Sequence, residues 1–276
     1  MEYRVSIARC PEYRDEAIRA AVMQVLEPLG GLEQFVERGD RVLVKPNLLS
    51  PRPPDAAVTT HPALVRVVVR MVQEIGAIPI VGDSPGGRGT LTSYAHLLQK
   101  TGIQAVIDET GCESACFDAA STVISSEQAR TFKRFPVADA VLNADVVIGL
   151  PKLKTHQLTL LTGAVKLLYG CLPGATKAEY HLHAADSVER FAELLLDLYI
   201  SLPPALHIMD AVVGMEGNGP SNGNPRRIGL LMASRSGPAL DFVAASIVGF
   251  DPLALPTVRQ RSEERRVGKE CPVLCR

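Results

Sequence analysis

The residues best suited to chemistry in this chain begin with a lysine-rich motif, Pro-Lys-Leu-Lys-Thr-His at residues 151–156, which directly follows an apolar segment. Alternate side chains of an extended chain share one side, which groups Lys152, Lys154 and His156. Two ammonium groups and an imidazole can hold a phosphate or carboxylate, and a lysine crowded by cations has a lowered pKa and can act as a base or nucleophile. With Lys166 in the next predicted helix, the motif predicts an anion site. The alternative is a solvated loop with each lysine facing water.

A second motif, Lys45-Pro-Asn47, also follows an apolar segment. Proline favours an extended conformation for the preceding residue, so the Lys45 side chain is expected to project along the strand edge. The Asn47 amide can both donate and accept hydrogen bonds. His61 stands before a proline at a predicted helix start, where Thr60 is the expected N-cap. We assign Lys45, Asn47 and His61 to substrate binding, against the alternatives of an ordinary turn at Asn47 and a structural His61.

A glycine-rich turn, Gly-Asp-Ser-Pro-Gly-Gly at residues 82–87, follows the next predicted strand. Its glycines let the backbone approach a ligand, and Asp83 can bind a cation, orient a lysine or act as a general acid or base, with Ser84 contacting substrate. The turn matches neither the phosphate-binding P-loop nor the dinucleotide fingerprint. The chain also lacks the Gly-x-Ser-x-Gly and His-Glu-x-x-His motifs, so serine-hydrolase and zincin chemistry have no sequence support.

Acidic residues later in the chain suggest a divalent cation. Asp210 closes a predicted strand, and Glu216 lies in the Gly-rich residues 214–220 that follow. With Asp241 these carboxylates offer the hard oxygen donors that Mg²⁺ prefers, while histidines suit a transition metal. The alternatives are a flexible surface turn at residues 214–220 and, for His181 and His183, an exposed histidine pair without function. The residues assigned here are Asp210, Glu216, Asp241 and His181 as metal ligands, with Gly217 and Gly219 contacting substrate.

The elements that must position these residues alternate between strand and helix. Period-two apolar runs and helical spacings recur about every 30 residues, which predicts β-α-β units and a parallel sheet. In such sheets ligands bind beyond the carboxyl ends of the strands, where the polar motifs fall. The predicted strands are 3–8, 41–44, 78–81, 105–107, 145–150, 206–209 and 228–233; the predicted helices are 15–36, 62–76, 91–100, 158–169, 187–202 and 238–248; and residues 108–136 are irregular with a hairpin.

The fold class expected is therefore α/β, a mostly parallel sheet with helices on both faces. We expect residues 1–260 to form a single α/β domain or two interleaved Rossmann-like halves. Seven of the ten residues from 261 to 270 are charged, and the apolar periodicity stops there. Residues 261–271 also resemble translated vector sequence, so for the tail at 261–276 a non-native origin and a solvated native tail are both open.

Composition limits the classes of function. With 276 residues, 46% of them hydrophobic, the chain can bury a large core. The net charge of −1 lacks the footprint of a nucleic-acid binder, and no apolar run approaches the roughly 20 residues that span a bilayer. The first residues do not resemble a signal peptide. We therefore expect a cytoplasmic protein whose partner is a small anionic ligand, with neither nucleic acid nor membrane as a partner.

Six cysteines, at positions 10, 112, 116, 171, 271 and 275, are few and scattered for a chain of this length, and we interpret them mainly as buried thiols. Two pairs share a C-x3-C spacing, which is looser than that of zinc knuckles and lacks two further ligands nearby. The sequence therefore gives little support for a metal or cluster site built on either pair.

Several blocks of this sequence resemble, in order and spacing, a prokaryotic family catalogued as domain of unknown function 362. The resemblance extends over about residues 4–255 and rests on residues 42–48 (Val-Leu-Val-Lys-Pro-Asn-Leu), 60–62 (Thr-His-Pro), 81–85 (Val-Gly-Asp-Ser-Pro), 150–156 (Leu-Pro-Lys-Leu-Lys-Thr-His), 162–166 (Thr-Gly-Ala-Val-Lys), 210–220 (Asp-Ala-Val-Val-Gly-Met-Glu-Gly-Asn-Gly-Pro) and 239–244 (Ala-Leu-Asp-Phe-Val-Ala).

The resemblance implies an iron–sulfur association, because longer members carry ferredoxin-like segments with two four-cysteine motifs. This chain has no C-x2-C-x2-C-x3-C run, so we expect no iron–sulfur cluster within it, and any divalent metal stays open. Leu167 stands where many relatives have asparagine.

Three functional hypotheses are compatible with these residues. The first is an enzyme that acts on a small anionic metabolite, a carboxylate or phosphate, through a reaction that the sequence does not name. The alternative is a non-catalytic accessory protein that handles a metal, an anion or an iron–sulfur cluster and docks with a ferredoxin-like redox partner. A third hypothesis makes the lysines and carboxylates a structural ion-pair network at a subunit interface.

Overall fold

The structure is a computed structural model that describes residues 3–84, 90–184 and 187–267. The strands are β1 (Val5–Arg9), β2 (Arg41–Pro46), β3 (Ile78–Asp83), β4 (Glu113–Cys116), β5 (Ser121–Ser125), β6 (Arg134–Ala138), β7 (Val146–Leu150), β8 (Lys152–His156), β9 (Leu160–Leu161), β10 (Leu206–Glu216) and β11 (Asn224–Ser234). The α-helices are α1 (Asp15–Leu26), α2 (Pro62–Ile75), α3 (Leu91–Lys100), α4 (Ile103–Thr110), α5 (Asp139–Leu142), α6 (Ala164–Leu167), α7 (Gly174–Ala184), α8 (Val188–Ser201), α9 (Gly237–Ile247) and α10 (Pro256–Val267).

One large sheet organises the fold, with the strand order β1-β11-β10-β7-β2-β3-β4. Neighbours from β10 to β4 are parallel, whereas β11 is antiparallel to both β1 and β10. β8 continues the direction of β7 beyond Pro151, pairs in parallel with β10 and turns back into β9. The prediction of an α/β fold with a mostly parallel sheet is confirmed. Its division into one domain or two Rossmann-like halves stays a prediction.

Helices cover both faces of this sheet because the strand side chains alternate. Val42 and Val44 of β2 pack in the core that contains the apolar faces of α1 and α2. Leu43, between them, packs in the opposite core with Leu194 of α8. Burial on both faces explains why β2 is a continuous apolar run until Lys45.

Two predicted elements need correction, and one helix was not predicted. Residues 105–107 belong to helix α4, since Ile103 and Val106 are buried at helical spacing between two glycines in left-handed conformations. Residues 158–169 do not form one helix; Gly163 separates β9 from the short helix α6. Helix α7 was missed, because residues 174–184 lack the amphipathic pattern of a core helix. The hairpin predicted within residues 108–136 is present as β5 and β6, although β6 extends to Ala138.

The polar motifs also differ from the predicted loops. Residues 152–156 form strand β8, and β10 continues through Asp210 to Glu216. The N-cap of α2 is His61 rather than Thr60: the His61 Nδ1 atom accepts a 3.2 Å hydrogen bond from Ala63 N. Thr60 instead donates its hydroxyl to the Leu150 carbonyl at 2.6 Å, which ties the chain after β2 to the end of β7.

The predicted charged tail begins inside α10, and residues 268–276, with Cys271 and Cys275, lie outside the described part of the chain. Residues 85–87 of the predicted glycine-rich turn lie outside it as well.

Candidate functional site

A cavity of about 320 Å³ lies where β2, β3 and β8 end, between these strands and helices α6 and α7. Its lining is strongly cationic: four lysines and two histidines face one carboxylate. The polar residues that line it are Lys45, Asn47, Asp83, Ser84, Lys154, His156, Thr162, Lys166, Tyr169, Lys177 and His181. The structure therefore brings together most of the residues that the sequence assigned to substrate binding and catalysis.

Lys45 and Asp83 form a buried ion pair at the floor of this cavity, with 2.8 Å between Nζ and Oδ1. Asp83 also accepts hydrogen bonds from the backbone N–H groups of Leu48 and Ser84. Gly170 lets the backbone approach this pair closely, because a Cβ there would lie 2.5 Å from Asp83 Oδ1 and 2.6 Å from Lys45 Nζ and would displace them. The pair is thus held in place from several sides and neutralises itself.

Lys154 is buried without such a partner. Its side chain is 1% exposed, and among the described residues its ammonium donates only to the Val58 carbonyl oxygen, at 2.6 Å. It contacts no carboxylate in the part of the chain that the structure describes. Burial, followed by the nearby charges of Lys166 and Lys152, holds the pKa of Lys154 well below its usual value.

Lys166 is the second cavity lysine that has no counter-charge in the part of the chain that the structure describes. Its Nζ lies 5.6 Å from the centroid of the Tyr169 ring and donates no hydrogen bond to any residue within the described ranges. Burial and then the charges of Lys177 and Lys45 lower its pKa to about 8. An anion in this cavity therefore meets Lys154 and Lys166, two lysines that contact no carboxylate among the described residues, and its negative charge favours the protonated form of both.

Helix α6, which carries Lys166, is held by Asp241. The Asp241 carboxylate accepts hydrogen bonds from Ala164 N at 2.6 Å and Val165 N at 3.0 Å. Gly163 has a φ of +54°, and a Cβ at this position would collide with the Asp241 carboxylate. Burial raises the pKa of Asp241 to about 7. Asp241, predicted as a metal ligand, instead caps this helix.

His156 faces the cavity as a neutral ring. Its Nδ1 accepts from Leu158 N at 3.1 Å and Thr159 N at 3.4 Å, so the proton of the neutral imidazole resides on Nε2. Burial, then the charge of Lys166, lowers its pKa to about 3. The Nε2–H group is therefore available as a hydrogen-bond donor.

Helix α7 supplies one wall through Lys177 and His181, which sit one helical turn apart. Lys177 Nζ donates to the Ser84 hydroxyl at 2.7 Å, and that hydroxyl donates to Asp118 at 3.0 Å. His181 stacks on Phe191 and meets the Tyr169 ring edge-on. Sequence reasoning missed Lys177; its position four residues before His181 was the available signal, and it is informative only once these residues are known to be helical.

Two buried polar atoms in the cavity lining have no hydrogen-bond partner among the described residues. They are Asn47 Oδ1 and Thr162 Oγ1. The backbone around both is firmly held: Asn47 exchanges hydrogen bonds with Thr60, and Thr162 N donates to the Lys154 carbonyl at 2.9 Å. Buried polar groups in folded proteins are nearly always paired, so these two atoms point to a missing ligand or water.

Lys152 lies in a separate group that we call the closed cluster, formed by Tyr13, His61, Lys152 and Asp210. Lys152 Nζ is 2.8 Å from Asp210 Oδ2, and both side chains are fully buried. Asp210 also accepts from the Tyr13 hydroxyl at 2.7 Å and from His61 N at 2.9 Å. The Tyr13 and His61 rings stack with centroids 3.6 Å apart and line a different cavity. Lys152 and His61, predicted for catalysis and substrate binding, therefore do not line the cationic cavity.

The predicted metal ligands are not brought together. Asp210 and Asp241 are occupied by the partners already described, and exposed Glu216 pairs with Arg226 at 3.4 Å. Within residues 3–84, 90–184 and 187–267, no group of three or more histidine, cysteine or acidic residues is arranged to hold a metal ion. β10 continues as a strand, and this directs Glu216 to the surface rather than into a ligand loop.

Gly217 and Gly219 hold the loop after β10 against β8. The Gly217 carbonyl accepts from the Thr155 hydroxyl at 2.9 Å, and a Cβ on Gly219 would collide with the Thr155 carbonyl oxygen. This close approach brings Pro220 to the cavity wall, while neither glycine lines the cavity itself. Their role is to position the wall.

Comparison with known proteins identifies the family of this chain. Residues 42–246 match the model of the family described as "Domain of unknown function (DUF362)". The chain belongs to this family. The resemblance seen in the sequence motifs is thereby confirmed, and the cavity lysines fall within the matched range.

A curated relative of this DUF362 chain is the thylakoid-associated protein sll1697 of Synechocystis sp., which is 40% identical over 259 residues covering 92% of this chain and 77% of the relative. A solved structure with a similar fold is the lactate racemase apoprotein from Thermoanaerobacterium thermosaccharolyticum, with a TM-score of 0.51 and 12% identity. The match covers 80% of this chain and 54% of the racemase chain, so this chain spans about half of that protein.

Among the helices that the structure describes, none is both long enough and apolar enough to cross a membrane.

Proposed function

We propose that this DUF362 protein is an enzyme that binds a small anionic metabolite, a carboxylate or phosphate, in the cationic cavity. There it catalyses a proton transfer between the bound metabolite and a side chain of the cavity. The observation that carries this proposal is Lys154, a buried amine with one carbonyl partner and no carboxylate among the described residues. Burying an amine in this way costs stability, since the group leaves water without a compensating charge. An anion bound beside Lys154 supplies that charge.

The surrounding groups suit proton transfer. Lys154 and Lys166 have lowered pKa values, so each can be unprotonated at a pH where an ordinary lysine is not. Such an amine can accept a proton from a bound substrate, and the second ammonium can stabilise the negative charge that develops. The His156 Nε2–H can donate a hydrogen bond to the same substrate. The Lys45–Asp83 pair orients the floor of the site.

The fold gives limited further support. The racemase with the similar fold is named for lactate, a small carboxylate, and this is the ligand class that the cavity charges favour. At 12% identity the likeness concerns the fold, and the substrate of this chain stays a proposal. A cytoplasmic location also stays a prediction, and the name of the relative associates that protein with thylakoids.

The first test is ligand binding followed by turnover. A thermal-shift screen of small carboxylates and phosphate esters at low ionic strength would use the wild type, Lys154→Met and the control Lys100→Met, which removes an exposed lysine of α3. We expect stabilisation of the wild type and of Lys100→Met by at least one anion, and none for Lys154→Met.

Each stabilising compound would then be incubated with the protein in D₂O, and proton NMR would follow deuterium incorporation or product formation. Exchange or conversion that Lys154→Met lacks supports the enzyme. Binding without any conversion would assign the alternative, non-catalytic accessory role. Failure of every anion to bind would overturn the proposed function.

A further inference from the structure

We infer that the ligand of the cationic cavity is a dianion that also carries a hydroxyl group. This inference deepens the proposed function and rests on it. Two independent features support it: the number of lysines without a counter-charge, and the two buried oxygen atoms without a hydrogen-bond partner, both counted among the described residues.

The charge of the ligand follows from how many of the cavity lysines already have a carboxylate partner. Of the four lysines that line the cavity, Lys45 is neutralised by Asp83, and Lys177 lies beside Ser84 and Asp118. Lys154 and Lys166 contact no carboxylate within the described residues, and the lining histidines are neutral at pH 7 because their pKa values are lowered. A monoanion would leave one of these two lysines without compensation in a buried site. A dianion, such as a phosphate monoester or a dicarboxylate, compensates both.

The hydroxyl group follows from Asn47 and Thr162. The Asn47 Oδ1 atom is an acceptor only, so a ligand that satisfies it must bring a hydrogen-bond donor. An ammonium group is a poor candidate in a cavity that already holds several lysines, whereas a hydroxyl donates without adding charge. Thr162 Oγ1 is equally unpaired, and its residue is 4% exposed. The Thr162 hydroxyl can accept from the same ligand or donate to it.

The two unpaired oxygen atoms, Asn47 Oδ1 and Thr162 Oγ1, belong to the same cavity as the lysines that lack a counter-charge among the described residues. Thr162 is bonded through its backbone to Lys154, and α6 with Lys166 begins two residues later. Asn47 follows directly after the strand that carries Lys45. The cavity volume of about 320 Å³ suits a metabolite of a few carbon atoms.

The test compares four small acids by isothermal titration calorimetry at pH 7 and low ionic strength. Malate and succinate are dianions with and without a hydroxyl group, and lactate and propionate are the corresponding monoanions. Glycerol 3-phosphate and ethyl phosphate form a second, phosphate pair with and without hydroxyl groups. We expect the hydroxylated dianion to bind at least tenfold more tightly than the dianion without a hydroxyl group, and at least tenfold more tightly than lactate.

Variants assign each preference to its residues. Thr162→Val keeps the shape and removes the hydroxyl, and it should reduce the ratio between malate and succinate, or between the two phosphates. Its control is Thr59→Val, because Thr59 Oγ1 is also buried and has no hydrogen-bond partner among the described residues, but Thr59 does not line the cavity. Lys166→Met should reduce the preference for malate over lactate, while Lys100→Met should leave that preference unchanged.

The outcomes separate the inference from the proposed function. If lactate binds as tightly as malate and the phosphates, the dianion is wrong, although anion binding stands. If hydroxylated and plain dianions bind equally, a water molecule satisfies Asn47 and the hydroxyl is wrong, although anion binding again stands. If neither the acids nor the phosphates bind to the folded wild type, the inference and the proposed function both fail.

Discussion

The closed cluster and the cationic cavity use the same residue types at the same sheet edge, yet they differ in how the lysines are paired. In the closed cluster, Lys152 meets Asp210, which accepts hydrogen bonds from three further groups. In the cavity, two residues further along β8, Lys154 meets one backbone carbonyl. The first arrangement is complete within the protein, whereas in the second Lys154 contacts no carboxylate among the described residues, and we propose that an anion completes it.

This difference shows that a lysine-rich motif is not a uniform binding site. A buried lysine with a full set of partners contributes to folding, because removing either member of such a pair leaves an uncompensated buried charge. A buried lysine without a carboxylate contributes to binding, because its cost is recovered only when a ligand is present. Removing a residue from each region should therefore separate stability from affinity.

The largest expected effect is in the closed cluster. Asp210→Ala leaves Lys152 buried without a counter-charge and removes the acceptor of Tyr13 and His61 N, so it should lower the free energy of unfolding by about 3–5 kcal/mol. Urea denaturation would measure this, with the exposed Asp108→Ala of α4 as the control. The folded fraction of Asp210→Ala should still bind anions. Normal stability combined with lost binding would show that Asp210 belongs to the ligand site after all.

The second effect is in the cavity. Lys154→Met removes a charged hydrogen-bond donor from the ligand, so affinity for the best anion should fall by about 1.5–3 kcal/mol, which is roughly tenfold to a hundredfold. Stability should stay within about 1 kcal/mol of the wild type, because Lys154 has no carboxylate partner among the described residues to lose. Calorimetry and urea denaturation measure the two quantities. A loss of stability as large as that of Asp210→Ala would remove the contrast between the two regions.

A pH dependence should distinguish the cavity further. Burial and the charges of Lys177 and Lys45 lower the pKa of Lys166 to about 8, so the empty site loses this cation as the pH rises through about 8. Anion affinity should then fall by up to about tenfold per pH unit above that value. His156, with a pKa of about 3, stays neutral over this range. In the Lys166→Met variant, the fall in anion affinity that results from deprotonation of Lys166 should disappear.

The lowered pKa of Lys166 also predicts the direction in which the free energy of unfolding changes with pH. The folded-state pKa of Lys166 lies below that of the unfolded chain, so between about pH 8 and the ordinary lysine value of 10.5 the unfolded chain binds more protons. The contribution of Lys166 to the free energy of unfolding therefore rises with pH in that window. A fall over the same window that depends on Lys166 would contradict the lowered pKa.

The smallest effect concerns the support of the cavity. Asp241→Ala leaves two N–H groups at the start of α6 without an acceptor, which should lower stability by about 1 kcal/mol. Since α6 carries Lys166, anion affinity should fall several-fold, and Asp241→Asn should recover part of both losses by retaining one acceptor oxygen. Equal affinity in all three proteins would show that α6 needs no anchor to present Lys166.

Apolar periodicity in the sequence was sufficient to predict most strands of the parallel sheet. β2, β3 and β7 and the helices α2, α3 and α8 are continuous apolar patterns, and the structure has them close to the predicted bounds. The prediction was wrong where local patterns are ambiguous. Residues 105–107 are β-prone in composition but helical, because burial of Ile103 and Val106 against the core decides their conformation. Helix α7 has too few apolar residues for periodicity to reveal it.

The sequence by itself predicted that lysines, a histidine and carboxylates lie at the carboxyl ends of the strands, because each polar motif directly follows an apolar strand of a parallel sheet. The sequence could not show whether Lys152 or Lys154 has a carboxylate partner. Lys152 and Lys154 share a side of β8, but the register places Asp210 opposite Lys152 and Met215 opposite Lys154. Strand register is a property of two distant segments, which only the tertiary structure brings together. That register pairs Lys152 with a carboxylate in the folded core and places Lys154 where, in our proposal, a ligand supplies the counter-charge.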